Sequence, residues 1–387
     1  MAEKIDITLD LLLTDLGGVE EVRIYRDNPI DEANLGTPLA TVAAGTGTYT
    51  DTVDFGSTHE YMIENYSSTD GSTFSNIIKV FADEDIFFMS YSGNDYAVKT
   101  FNTRGNAVNK STPAYNYARA MDVAPNGVFF LGGNYKPTRY DGNTMTWESD
   151  NKGAGGGNDY AVVYDTRGYV YFGGSGKYVR QHNAADGTLI KETQVSNNEQ
   201  IKAMTLDLYG RIVVATGNYV KCFDSSLTEV WTFSQHTNNV NCVQAAKDGS
   251  YMSAGSDNRV FKFTEQTDGS LPVDWSADLN NTIYENSLSY NEKYGKVLAQ
   301  TGNNIHLLDY ATGTEEMKSS VPNYGSCFLS DTGLMYGFSY GNGIKRFNMS
   351  GDVVWEVTID GNNNFSTITS TPGAQGIQLG IYNRATA

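Results

Sequence analysis

The chain has 387 residues, 40% hydrophobic and 19% charged, with 40 glycines and a formal net charge of −18. That length suits two domains with a sizeable buried core. The negative charge opposes a nucleic-acid backbone or an anionic membrane surface as partner, and no apolar stretch reaches membrane length.

Near the N-terminus, "LDLLL" is too short for a signal peptide or a membrane span, so neither is expected. Alternating apolar runs follow at 21–26, 48–53, 59–65 and 75–81. They predict a small antiparallel β-sandwich over residues 1–82. The string Ile24-Tyr25-Arg26, then Tyr49-Thr50-Asp51, Gly56, Tyr61-Met62-Ile63 and Ser75-Asn76 resembles a fibronectin type III module of the bacterial and phage kind. His59 stands where such modules usually carry Tyr, and "DLLL" replaces their early-strand Trp. At this size the module is marginally stable alone. Residues 82–85 read as a hinge to the remainder, 83–387.

Beyond the hinge the pattern becomes a repeat. Trp147, Trp231, Trp275 and Trp355 are separated by two, one and two steps of about 40 residues, with weaker beats at Val108, Ile190 and Met317. Each unit holds four short apolar runs bounded by Gly, Asp and Asn, which argues strands and not helices. The second run ends in small residues, as in Gly173-Gly174, Ala215-Thr216 and Ala254-Gly255, which suits the crowded centre of a ring. The third run closes on an Asx residue before a turn, as at Asp224 and Asn348. The tryptophans read as packing between neighbouring units.

"Leu308-Asp309-Tyr-Ala-Thr-Gly313" and "Asn183-Ala-Ala-Asp-Gly-Thr188" resemble the repeat of the quinoprotein-like and WD-repeat-like β-propellers. The resemblance spans about 300 residues and implies architecture, while propellers host many unrelated functions. First runs near 118, 160, 201, 240, 285, 326 and 366 and fourth runs near 108, 147, 190, 231, 275, 317 and 355 make seven blades. The predicted fold is therefore all-β: a fibronectin type III-like sandwich and a seven-bladed β-propeller closed by strands from both ends of its region. Closure of this kind removes free edges. One second-type strand is surplus, either 86–91 or 377–381, and the sequence leaves that choice open.

The chemical inventory is sparse. Cys222, Cys242 and Cys327 fall in strand runs of different blades and read as buried fillers. His59, His182, His236 and His306 show no metal-ligand spacing, and His182 and His306 read as rim or blade-face residues. Asp257-Asn258 and Asp83-Glu84-Asp85 read as solvated turns and not calcium loops. "GAGGG" at 153–157 lacks the Lys-Ser/Thr of a phosphate loop. The adjacent cysteines of quinone dehydrogenases have no counterpart. No catalytic, metal or cofactor residue is assigned, and no enzyme activity is expected.

What remains is surface. Tyr115, Tyr117, Tyr160, Asn197, Asn238, Asn239, Asn280, Tyr284, Tyr324 and Asn363 lie at or beside connections from fourth to first strands, which open on one face of the ring. Tyr and Asn are residues of adaptable recognition surfaces. The expected function is a virion structural protein of a tailed bacteriophage, in tail, neck or capsid decoration, assembled in the host cytoplasm in multiple copies. Its N-terminal module would bind other virion proteins, and its propeller would face a host glycan or receptor. A secreted or surface carbohydrate-active enzyme or lectin is the competing expectation.

Overall fold

A computed structural model describes residues 4–12, 19–27, 35–44, 46, 48–54, 58–69, 71–74, 78–81, 86–92, 95–101, 107–111, 118–124, 128–133, 136–141, 144–149, 157–291, 294–321, 325–329, 335–339, 343–357, 368–370 and 377–380. Its regular elements among those residues are all strands. The chain divides into two units, residues 1–84 with 372–387, and residues 85–371. The first boundary falls inside the stretch 82–85. The C-terminal segment groups with the first unit, whereas the sequence pattern assigns it to the repeats.

In the first unit, Lys4–Leu12 pairs antiparallel with Thr48–Asp54 and parallel with Ile377–Gly380. A second sheet runs Ala40–Ala43, Glu21–Arg26, Thr58–Tyr66, Thr73–Phe74, with Ile78–Phe81 also on Thr58–Tyr66. Alternation puts Val22, Ile24, Tyr61 and Ile63 in the core with Leu9 and Val53. Two carboxylates inside it are partnered. Asp51 accepts from Arg26 at 2.6 Å and from the Tyr61 hydroxyl at 2.7 Å. Glu64 accepts from the Tyr25 hydroxyl at 2.5 Å. This unit uses the surplus strand: 377–380 lies on Lys4–Leu12, and Ile86–Ser92 belongs to the second unit.

The second unit holds seven four-stranded antiparallel sheets among the described residues. Six follow chain order, with first strands Ala118–Val123, Asp159–Asp165, Ile201–Leu206, Val240–Ala245, Ile283–Asn291 and Cys327–Leu329. Their fourth strands are Thr144–Glu148, Leu189–Gln194, Glu229–Phe233, Val273–Asp278, Glu315–Ser320 and Val353–Val357. The remaining sheet takes Ile86–Ser92, Asp95–Phe101 and Ala107–Ser111 from the start of the unit and Ile368–Ser370 from its end. We number it first, so that the sheet starting at Ala118 is the second. Each first strand contacts the next, and Ile368–Ser370 contacts both Cys327–Leu329 and Ala118–Val123, so the series closes. The arrangement is propeller-like.

Apolar clusters lie between consecutive sheets. Trp147 of the second sheet packs with Phe172 and Ala184 of the third, and Trp275 of the fifth packs with Val297, Ala299 and Leu308 of the sixth. Burying an indole between sheets contributes roughly 4–6 kcal/mol of transfer free energy. The small residues that end the second strands are required sterically. A Cβ on Gly132 would stand 2.8 Å from the Asp159 Cβ, and one on Gly173 would stand 2.9 Å from the Met204 sulfur. The Asx turns form as the sequence predicts. Asp224 Oδ1 accepts from the amides of Ser226 and Thr228, and Asn348 Oδ1 from those of Ser350 and Asp352.

One beat of the repeat is displaced. The fourth strands carry a register shift, and the residue just after it in the chain faces the next sheet: Trp147, Trp231, Trp275 and Met317. In the third sheet that position is Lys191, while Ile190 is 47% exposed.

Candidate recognition face

Fourth-to-first connections and second-to-third turns emerge at the same end of each sheet, because the four strands alternate in direction. Asn197, Asn238, Asn239 and Asn280 are exposed there, Tyr284 is exposed and Tyr160 is half-buried. Tyr115, Tyr117, Tyr324 and Asn363 lie outside the described residues. Several amides have backbone duties. Asn280 and Asn258 take φ of 57° and 66°, a left-handed conformation that Asn tolerates better than most residues. The Asn239 carbonyl accepts from the Ser256 amide at 2.8 Å.

Those of the predicted residues that are described do not converge on one site. Tyr160 sits under the Lys202 ammonium, 5.2 Å from the ring centroid, and Lys202 pairs with Glu285 at 2.6 Å. That pair joins the fourth and sixth sheets, whose first strands also touch. The space among the first strands is about 70 Å³, lined by Ala120, Ala161, Ala203, Cys242, Gln244 and Leu288. It has room for a few waters and no larger ligand. Asn238 and Asn239 sit together in the loop before the fifth sheet. Asn197 borders a separate cleft before the fourth.

The structure adds a hydrogen-bonded chain that the sequence reading missed. His236 Nδ1 lies 2.9 Å from Asp257 Oδ2, and His236 Nε2 lies 2.8 Å from Ser253 Oγ. The residue types are those of an acyl-transfer triad. The setting is not. Ser253 is fully buried in the middle of a strand, and Phe261 stands edge-on to the imidazole at 4.7 Å. No substrate carbonyl can reach that hydroxyl without unpacking the sheet. Asp257 also accepts from the amide of Thr237 at 3.2 Å. Burial would raise the Asp257 carboxyl, but the hydrogen bond and charge of His236 together with the amides of Thr237 and Arg259 outweigh it and hold the group below its ordinary value. The chain clamps the loop before the fifth sheet onto the sheet's own turn. Asp257-Asn258 is thus a half-buried turn, as expected a turn, but with its Asp257 carboxylate buried in the clamp and not solvated. No sequence spacing signals it, since the three residues meet only when the second strand folds beside the loop.

Of the two places expected for the other histidines of this unit, rim or blade face, burial excludes the rim: His182 and His306 are fully buried. His182 Nδ1 lies 3.0 Å from the Gly187 carbonyl oxygen, and His306 Nε2 lies 3.2 Å from Thr301 Oγ1. Alternation along the third strand turns both inward. Burial lowers the affinity of each for a proton. Cys222, Cys242 and Cys327 are buried and form no disulfide. Burial pushes the Cys222 and Cys242 thiols up to about 12. Among the described residues, no group of three or more His, Cys, Asp or Glu side chains could hold a metal ion. No described helix is long and apolar enough to cross a membrane.

Neither protein-family models nor the curated proteins contain a match to this chain.

Proposed function

We propose that the chain is a non-enzymatic structural and recognition protein of a tailed-bacteriophage virion. The observation that carries the non-catalytic part is the placement of polar groups. His182 and His306 are tied inside sheets and His236 is buried within the loop before the fifth sheet, while described Asn residues of the connections are exposed at one end of the ring. In this reading the seven sheets are the blades of a β-propeller of the quinoprotein-like and WD-repeat-like kind.

The first unit is read as a fibronectin type III-like anchor. Supporting this is its pairing, in which one sheet holds Lys4–Leu12 with Thr48–Asp54 and the other runs Ala40–Ala43, Glu21–Arg26, Thr58–Tyr66 and then the last strands. The virion reading rests on the resemblance of this module to those of phage structural proteins. The anchor binds other virion proteins, and the propeller presents its loop face outward. Mass spectrometry of purified particles from a host making this protein is the test. The protein should copurify in multiple copies, and its absence from particles would sink the proposal.

A further inference from the structure

Before the fourth sheet, a cleft of about 520 Å³ opens between the loop 195–199 and the ends of the second and third strands. Its volume falls in the range of small-molecule sites. A comparison of sheets gives a reason for it. In the third and fifth sheets, Gly174 and Gly255 end the second strand, and a Cβ on either would overlap the carbonyl oxygen of Asn158 or Asn239 in the preceding loop. In the fourth sheet the same ladder position, opposite Ile201, is Thr216. Its side chain is among those lining the cleft. The sixth sheet also has a threonine there, but the Thr301 hydroxyl is engaged by His306 at 3.2 Å. Thr216 Oγ1 is buried and has no hydrogen-bond partner among the described residues.

The walls are ordered by the protein's own bonds. Ser196 Oγ accepts from the amides of Asn198 and Glu199 at 3.2 and 3.0 Å. Lys177 Nζ donates to the Asn197 carbonyl at 2.7 Å. A loop fixed in this way loses little entropy on binding. Lys221 is held by Glu229 at 2.9 Å, so its charge is compensated. The Asn198 amide and the Glu199 carboxylate make no side-chain hydrogen bond to the described residues. Tyr219, 39% exposed, offers a ring at the same edge.

We propose that this cleft binds a neutral sugar ring. An aromatic face packs against the C–H face of a pyranose, while a neighbouring amide and carboxylate meet its hydroxyls. Tyr and Asn are suited to such contacts. The uncompensated Glu199 and the net charge of −18 oppose acidic sugars. The inference rests on the reading of the loop face as a recognition surface.

The test is saturation-transfer NMR on the full chain with free glucose, galactose, mannose, N-acetylglucosamine and, separately, sialyllactose. At least one neutral sugar should receive transfer. Tyr219→Ala and Asn198→Ala should each weaken its binding about tenfold, with tryptophan fluorescence confirming the fold. Tyr209→Ala, at a 66% exposed residue on the opposite end of the sheet, should bind as the parent does. No transfer, transfer unchanged by both cleft substitutions, or preference for sialyllactose overturns the proposal. Particle copurification is a separate readout, so either reading can fail without the other.

Discussion

The indole Nε1 of Trp147 donates a 2.9 Å hydrogen bond to the carbonyl oxygen of Ala184, 37 residues ahead and in the next sheet. Trp275 does the same to Tyr310 at 2.9 Å, and Lys191 donates to the Ser225 carbonyl. Each acceptor follows the Asx residue of the neighbouring turn: Asn183, Asp224 or Asp309. Trp231 reaches the matching residue by its side chain, Glu265 Oε2 at 3.1 Å. The repeat is therefore a series of equivalent contacts between fourth strands and turns.

The turn glycine belongs to that contact. Gly313 has φ of 72°, and a Cβ there would stand 2.5 Å from the Trp275 ring. Gly313→Ala combines backbone strain with steric overlap and should destabilise the second unit by about 2–4 kcal/mol. Trp275→Phe, which loses the bond to Tyr310 and some area, should cost about 1–2 kcal/mol. Urea melts followed by fluorescence of the remaining tryptophans would measure both. Equal costs would contradict the role given to the glycine.

Arg180 and Asp159 form an ion pair with both side chains almost wholly buried. Breaking one half leaves an uncompensated charge. Arg180→Met should destabilise by about 3–5 kcal/mol, and the double variant Asp159→Asn with Arg180→Met should recover most of that loss. Additive losses in a double-mutant cycle would show that the two residues act separately.

Acid should weaken the second unit through its histidines. His182 and His306 have proton affinities lowered by burial, below the ordinary value of 6.5. The unfolded chain then binds more protons than the folded chain below pH 6.5. Their contribution is fully present above that pH and is lost as pH falls through it, by at most about 1.4 kcal/mol per pH unit for each. Asp122 works the other way. Burial pushes it up to about 6, so its contribution is lost as pH rises from about 4 through 6. His182→Gln should flatten the fall in melting temperature between pH 7 and 5. An unchanged pH profile would refute the assignment.

In the repeat, the count of strands and their phase are legible in the sequence because both depend on local signals. Turn glycines, Asx caps and alternation recur with the repeat, and all seven first strands form near the positions expected. Ile190 misled because the fourth-strand register shift moves the inward position by one, to Lys191, and a lysine gives no hydrophobic signal. The recognition residues were less legible. Asn258 and Asn280 are needed for left-handed backbone, so loop composition mixes turn chemistry with binding chemistry. Thr216 and Tyr219 gained meaning only from their neighbours across the cleft. The fate of the C-terminus was open because 377–381 and 86–91 have the same strand character, and only pairing distinguishes them.

Two truncations separate the roles of the C-terminal strands. All four tryptophans lie in the second unit, so their fluorescence reports on that unit alone. A chain ending at residue 371 keeps Ile368–Ser370 on Ile86–Ser92 and removes Ile377–Gly380 from Lys4–Leu12. It should leave the fluorescence melt of the second unit unchanged. A chain ending at residue 366 also removes the strand that closes the ring. It leaves one edge of Ile86–Ser92 unpaired, together with the flanks of Cys327–Leu329 and Ala118–Val123 that it touched. Its fluorescence melt should fall by about 5–10 °C, as expected for a loss of a few kcal/mol in a unit of this size. Unpaired edges should also make it associate on size-exclusion chromatography. Indistinguishable melts for the two truncations would mean that Ile368–Ser370 does not close the ring.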